Sequence, residues 1–214
     1  MRTGENTPGL TRLAVRIMTH GSLRWASALA TVALLAAGAG AQVLATGTFL
    51  ILPGESRAEF FVADNRGGFT GYTTRVSGTV KVHQLPDGTF NADVQATVDA
   101  RTITTGIGLR DRQMHRDVLK TEAYPVMAFR GSVTLVAVTL GRPLAARVRG
   151  RLTVRDASRE VDFPARILAL RDEYVGEGEF VVRMSEFGIP VPRFLVFVAQ
   201  DPVQVRVKVV ARHQ

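Results

Sequence analysis

The chain has 214 residues, 46% hydrophobic and 21% charged, enough to bury one sizeable core. It contains no cysteine, which excludes a disulfide framework, a thiolate metal site and a cysteine nucleophile. The formal charge is +8, but four arginines and one acid precede Thr46; the remaining 23 basic and 18 acidic residues are interleaved, and only three are lysines. Nucleic-acid binding needs clustered charge, so this balance points to a solvated surface.

The first element is apolar. Trp25 to Ala45 holds no charged residue, Arg24 precedes it, Arg12, Arg16 and His20 lie further back, and Ala39-Gly40-Ala41 gives a small-x-small end. These are the parts of a secretory signal peptide. Residues 1–45 are therefore expected to be a leader cut after Ala41, with Val43-Leu44-Ala45 as the other candidate site, and the mature protein to be periplasmic or secreted. Counted from Met18 rather than Met1, the leader has a more usual length. An uncleaved membrane anchor over Trp25 to Ala45 is the competing reading, since about 20 apolar residues span a bilayer.

From Thr46 onward no linker or charge block divides the chain, and residues 46–214 read as one domain. Its dominant signal is alternation, the period of a half-buried strand. Ala58, Phe60 and Val62 line one face of a first strand, and Val76, Gly78, Val80 and Val82 one face of a second. A third alternates Phe90, Ala92, Val94, Ala96 and Val98 with polar residues. Leu109 to Thr121 breaks the pattern: it contains no glycine or proline, spaces Met114 and Val118 four apart, and predicts a short helix ending before Tyr124-Pro125. Strands resume at Val126 to Val138, bent at Gly131, then at Ala146 to Val154, Val161 to Leu170, Glu173 to Arg183 and Val203 to Val209. Turns at Pro86-Asp87-Gly88, Gly141-Arg142-Pro143 and Asp156-Ala157-Ser158 are short, which implies antiparallel neighbours. Eight such strands predict an all-β, lipocalin-like antiparallel β-barrel with one short helix, because closure removes the edges; an open sandwich is the structural alternative.

Several segments, in this order, resemble the YceI-like polyisoprenoid-binding family from about Phe49 to Val210. They are Arg66-Gly67-Gly68-Phe69-Thr70-Gly71 with Gly78-Thr79-Val80, Asp99 to Gly106, Leu109-Arg110-Asp111 running to Tyr124-Pro125, Phe129 to Ser132, Gly150 to Val154 with Val161 and Phe163, and Phe187-Gly188-Ile189. The family's helix pattern begins Arg-Asp-x-His-Leu. Here Arg110 and Asp111 match, but Gln113 and Met114 stand at the His and Leu positions, Val118 replaces a Phe and Lys120 an acid. The resemblance implies an extended barrel holding a long isoprenoid chain, with the altered helix at the wall or mouth of its cavity.

Catalytic signals are thin. His83 sits at a strand end and His213 is penultimate; neither has a ligand-spaced partner, and both read as surface histidines. No metal motif is present, so neither a metal nor another cofactor is expected. An enzyme reading would have to use Arg110, Asp111 and His115. Asp111 instead suits a helix start, and Arg110 either ties the helix to a strand or, with Arg112 or Arg116, meets an anionic head group. Arg147, Arg149, Arg151 and Arg155 face away from their strand's apolar side, toward acids such as Glu160, Asp162, Glu177 and Glu179. Phe69 and Tyr72, near Gly67, Gly68 and Gly71, read as a loop at a barrel end.

Volume gives the positive signal. Ala92, Ala96, Ala146, Ala165, Ala169, Gly78, Gly150, Gly176 and Gly178 on the inner faces leave space where a packed core would hold leucines. The expected function is lipid binding without catalysis, with transient membrane contact as a further expectation; a packed barrel without ligand is the rival. The candidate ligand-binding residues are Phe60, Val62, Phe69, Ala96, Val98, Arg110, Met114, Tyr124, Phe129, Ala165 and Phe180.

Overall fold

Alternation turns one side of each strand to a shared interior and the other to water. The structure, a computed structural model, describes residues 44–136, 138–194 and 197–214. Its strands are β1 (Gly47–Ile51), β2 (Arg57–Asp64), β3 (Phe69–Thr73), β4 (Val76–Gln84), β5 (Phe90–Asp99), β6 (Val126–Leu135), β7 (Pro143–Val154), β8 (Ala157–Ala169), β9 (Glu173–Arg183), β10 (Arg193–Phe194) and β11 (Phe197–His213). Between β5 and β6 lie a 3₁₀ turn (Ala100–Thr102), the helix α1 (Gly108–Gln113) and a π-helical turn (Met114–Leu119).

Eight strands close in the order β1-β4-β5-β6-β7-β8-β9-β11, and β11 returns to β1 with Phe49 opposite His213 and Ile51 opposite Ala211. Every pairing is antiparallel. The result is the closed eight-stranded barrel expected from the sequence.

Three short strands, β1, β3 and β10, carry no clear alternation and are not expected from the sequence. Beyond β1, β11 continues alongside β2, from Lys208 opposite Arg57 to Ala199 opposite Asp64. The step from β1 to β2 is stitched to β11 by the Leu52 N–H, which donates to the Val210 carbonyl at 2.9 Å, and by buried Ser56, whose Oγ accepts from the Val210 N–H at 3.0 Å. The supposed loop at Phe69 and Tyr72 is strand β3: it pairs with β2, and the Tyr72 N–H donates to the Thr104 carbonyl at 2.9 Å. Backbone pairing on both sides, rather than side-chain alternation, holds it.

The outer wall carries the arginines. Arg149 lies opposite Asp162 and Arg151 opposite Glu160 in the β7–β8 ladder, and Arg147 reaches Asp162 at 2.5 Å. Such exposed pairs contribute little each. Arg155 departs from the row. The β7–β8 turn is Arg155-Asp156, one residue earlier than expected, so Ala157 and Ser158 already pair, and Arg155 takes φ 57° with its Nη1 donating to the Gly188 carbonyl at 3.3 Å.

Glycines keep the interior open. Gly131 and Gly150 face each other across β6 and β7; a Cβ on Gly150 would come within 2.7 Å of the Phe129 ring. One on Gly178 would come within 2.6 Å of the Phe163 ring, which stacks on Phe180 with centroids 4.4 Å apart. The absent side chains let aromatic rings lie along the wall.

The base of the barrel is dense. Phe49 is fully buried, meets Tyr174 edge-on at 4.7 Å, and packs in one cluster with Leu44, Val82, Leu135 and Ala169. Leu44 is only 4% exposed, and the Tyr174 hydroxyl donates to the Ala45 carbonyl at 2.7 Å. The expected leader, residues 1–45, otherwise lies outside the described residues; its last two belong to the barrel.

Candidate functional site

Small and flat-lying side chains leave a lumen. A cavity of about 650 Å³ runs inside the barrel, bounded toward the base by Val82, Leu135 and Tyr174 and toward the other end by Ile107, Leu109 and Ile189. Its β11 lining runs from Ala199 to Ala211. At ~3.3 Å per residue and a tilt near 40°, that is about 30 Å along the axis. The space is thus a slender tunnel, and the side chains facing it are apolar almost throughout. Arg110 and Gln113 of α1 and Asp64 at the end of β2 are polar members at the helix end.

The helical segment completes the wall where β3 and β6 do not meet. Ala100, Ile103, Met114 and Leu119 are buried together, with Phe60, Val98, Val118 and Met127 packed on them. Asp111 anchors α1. Its carboxylate accepts from the Thr104 Oγ1 at 2.7 Å, the Thr105 N–H at 2.8 Å and the Thr105 Oγ1 at 2.6 Å. Burial raises this carboxyl, but the bonds from Thr105 and Thr104 outweigh it and hold the pKa below its ordinary value. Arg110 points elsewhere, its guanidinium 4.3 Å from the centre of the Phe69 ring.

Ten of the eleven sequence-named residues, namely Phe60, Val62, Phe69, Ala96, Val98, Arg110, Met114, Phe129, Ala165 and Phe180, line this cavity. Tyr124 does not: its hydroxyl donates to Asp156 at 3.3 Å and Arg155 lies over its ring, so polar contacts hold it off the lumen. The sequence reading missed Phe163, Tyr174 and Val133, which the alternation of their strands marks as inward. It also missed Ile107, which precedes α1, and Leu109 in its first turn, where a short helix gives no periodic signal.

Arg110 stacks on Phe69, Asp111 is engaged by two threonines, and His115 makes no hydrogen bond to Asp111. Among the described residues no three His, Asp or Glu side chains are grouped to hold a metal ion.

A closed antiparallel barrel around an apolar tunnel defines a class of binding protein that encloses elongated apolar molecules. The model of the YceI-like domain matches residues 49–211, and this chain belongs to that family. No curated protein matches it. Among solved structures, a polyisoprenoid binding domain from Saccharophagus degradans is similar with a TM-score of 0.65 and 14% identity, over 79% of this chain and 100% of that one. BcnA of Burkholderia cenocepacia is similar with a TM-score of 0.59 and 18% identity, over 75% and 98%. At these identities the likeness speaks for the fold alone.

Proposed function

We propose that this protein is an exported, non-enzymatic carrier that holds one long apolar chain, of the polyisoprenoid type, in its barrel. The observation that carries this reading is the tunnel itself: apolar along its length, dense at the base, and bordered by polar groups at the helix end. A tail enters with its apolar end toward Tyr174 and leaves its head near Arg110, whose guanidinium suits an anionic group. Each buried CH₂ contributes about 0.8 kcal/mol, against the cost of ordering the chain. The Saccharophagus domain, described as polyisoprenoid binding, supports the choice of guest by fold.

Gentle purification followed by lipid mass spectrometry tests the reading. Wild-type protein should yield a long-chain lipid. Ala96→Phe and Ala165→Phe, which fill the tunnel, should lose it while remaining folded, at a cost of about 1–3 kcal/mol. A wild-type barrel that carries no lipid and takes up none overturns the proposal in favour of a packed module.

Export follows from the apolar leader, and the buried Leu44 and the bonded Ala45 carbonyl favour one cleavage site. Cutting after Ala45 would remove both from the base; cutting after Ala41 keeps them. N-terminal sequencing of exported material should read Gln42 first.

A further inference from the structure

A tail stored in a tunnel must come from somewhere, and the tunnel's helix end carries large apolar side chains beside its opening. Ile107 and Leu109 both border the cavity, yet they are 50% and 54% exposed. They flank Gly108 at the start of α1, so two large apolar side chains stand out beside the opening. Val198 is also exposed at this end, where its N–H donates to Asn65 in the β2–β3 turn. A monomeric surface rarely groups large apolar side chains around an opening without a use for them.

The charges beside them are unbalanced. Several arginines elsewhere pair with acids, among them Arg116 with Asp117, Arg101 with Asp99, and Arg147, Arg149 and Arg151 with Asp162 and Glu160. Among the described residues, Arg110 and Arg112 have no carboxylate partner, and Asp111 between them is turned to Thr104 and Thr105. The acid at the opening is Asp64, whose Oδ1 accepts the Arg66 N–H.

Resting on the carrier reading, we propose that this rim docks on an anionic lipid bilayer, with Ile107 and Leu109 entering the interface and Arg110 and Arg112 meeting lipid phosphates. Apolar side chains beside unpaired arginines match the two layers of that surface, acyl chain below and charge above. Docking there puts the opening against the source of an apolar tail, so the tail passes between bilayer and tunnel without crossing water.

Vesicle flotation of the mature wild-type protein tests this, with phosphatidylcholine vesicles compared with vesicles holding about a third phosphatidylglycerol, a composition giving a strong negative surface potential. Wild-type protein should float with the anionic vesicles and release as salt rises. The double variant Ile107→Ser with Leu109→Ser should lower binding at least about tenfold by removing buried apolar area. Arg112→Glu should lower it about tenfold or more on anionic vesicles, since each basic residue near such a surface counts for about fivefold and the variant also adds a repelled charge. Circular dichroism confirms folding; these side chains are exposed, so the variants should fold. Absence of flotation, or flotation unmoved by these changes, overturns the proposal. A dimer in dilute solution that the double variant abolishes overturns it too, assigning the rim to a second copy. Flotation is read without regard to the barrel's contents, so a failure here leaves the carrier reading standing, and an empty barrel leaves the docking result standing.

Discussion

The two ends of the barrel are built by opposite rules. At the base, Phe49, Leu44, Tyr174 and Leu135 are buried, and the Tyr174 hydroxyl is bonded to the Ala45 carbonyl. At the helix end, Ile107, Leu109 and Val198 are exposed, a short helix replaces a stretch of strand wall, and its place depends on the polar bonds of Asp111. One end is closed by packing, the other is fitted by hydrogen bonds around an opening. The difference gives the tunnel a direction, and it separates stability from access: substitutions at the base should unfold the barrel, while those at the rim should change what enters it.

The largest expected effect is at the base. Phe49→Ala removes a fully buried ring from between Tyr174 and His213 and should cost about 3–5 kcal/mol. Leu109→Ala at the rim, where the side chain is 54% exposed, should stay within about 0.5 kcal/mol. Urea unfolding of the two variants measures both; similar losses would break the contrast between the ends.

An intermediate effect is expected where α1 is anchored. Asp111→Asn keeps the size but loses the charge that three donors address, and should cost about 1.5–3 kcal/mol. The pH dependence has a defined sign. Because the folded pKa lies below its ordinary 3.8, this stability is present above that value and is lost as pH falls through the folded pKa. Acid unfolding curves should therefore converge for wild type and variant at low pH and separate above about pH 4.

Much of this was legible in the sequence, for a physical reason. Strands with one wet face alternate, so β4 to β9 and the inner positions Ala96, Ala165 and Phe180 could be read by period alone. β1 and β3 are five residues each, and β3 contains Gly71 against the Phe60 ring, so neither shows a usable period. The turn at Arg155-Asp156 was misplaced by one residue because Arg155 adopts a left-handed backbone without being glycine. Tyr124 does not line the cavity, because its direction depends on Asp156 and Arg155, distant in sequence and outside any strand pattern. Of the rim residues, Ile107 escaped because it precedes α1, and Leu109 because so short a helix gives no period that assigns a face.

A smaller effect than that at Asp111 tests the seal itself. Tyr174→Phe leaves the ring against Phe49 but removes the hydroxyl that donates to the Ala45 carbonyl, and should cost about 1 kcal/mol. The phenol carries a second, independent readout. Burial pushes its pKa from 10.0 up to about 12, since the charged form would sit among apolar side chains. A raised folded pKa means that the contribution to stability is fully present below pH 10 and is lost as pH rises through about 12. Ultraviolet titration should show a phenolate forming late, near pH 12, and Tyr174→Phe should delete that late step. If the late step is absent in the wild type, water reaches Tyr174, the base is open, and the tunnel has two ends instead of one.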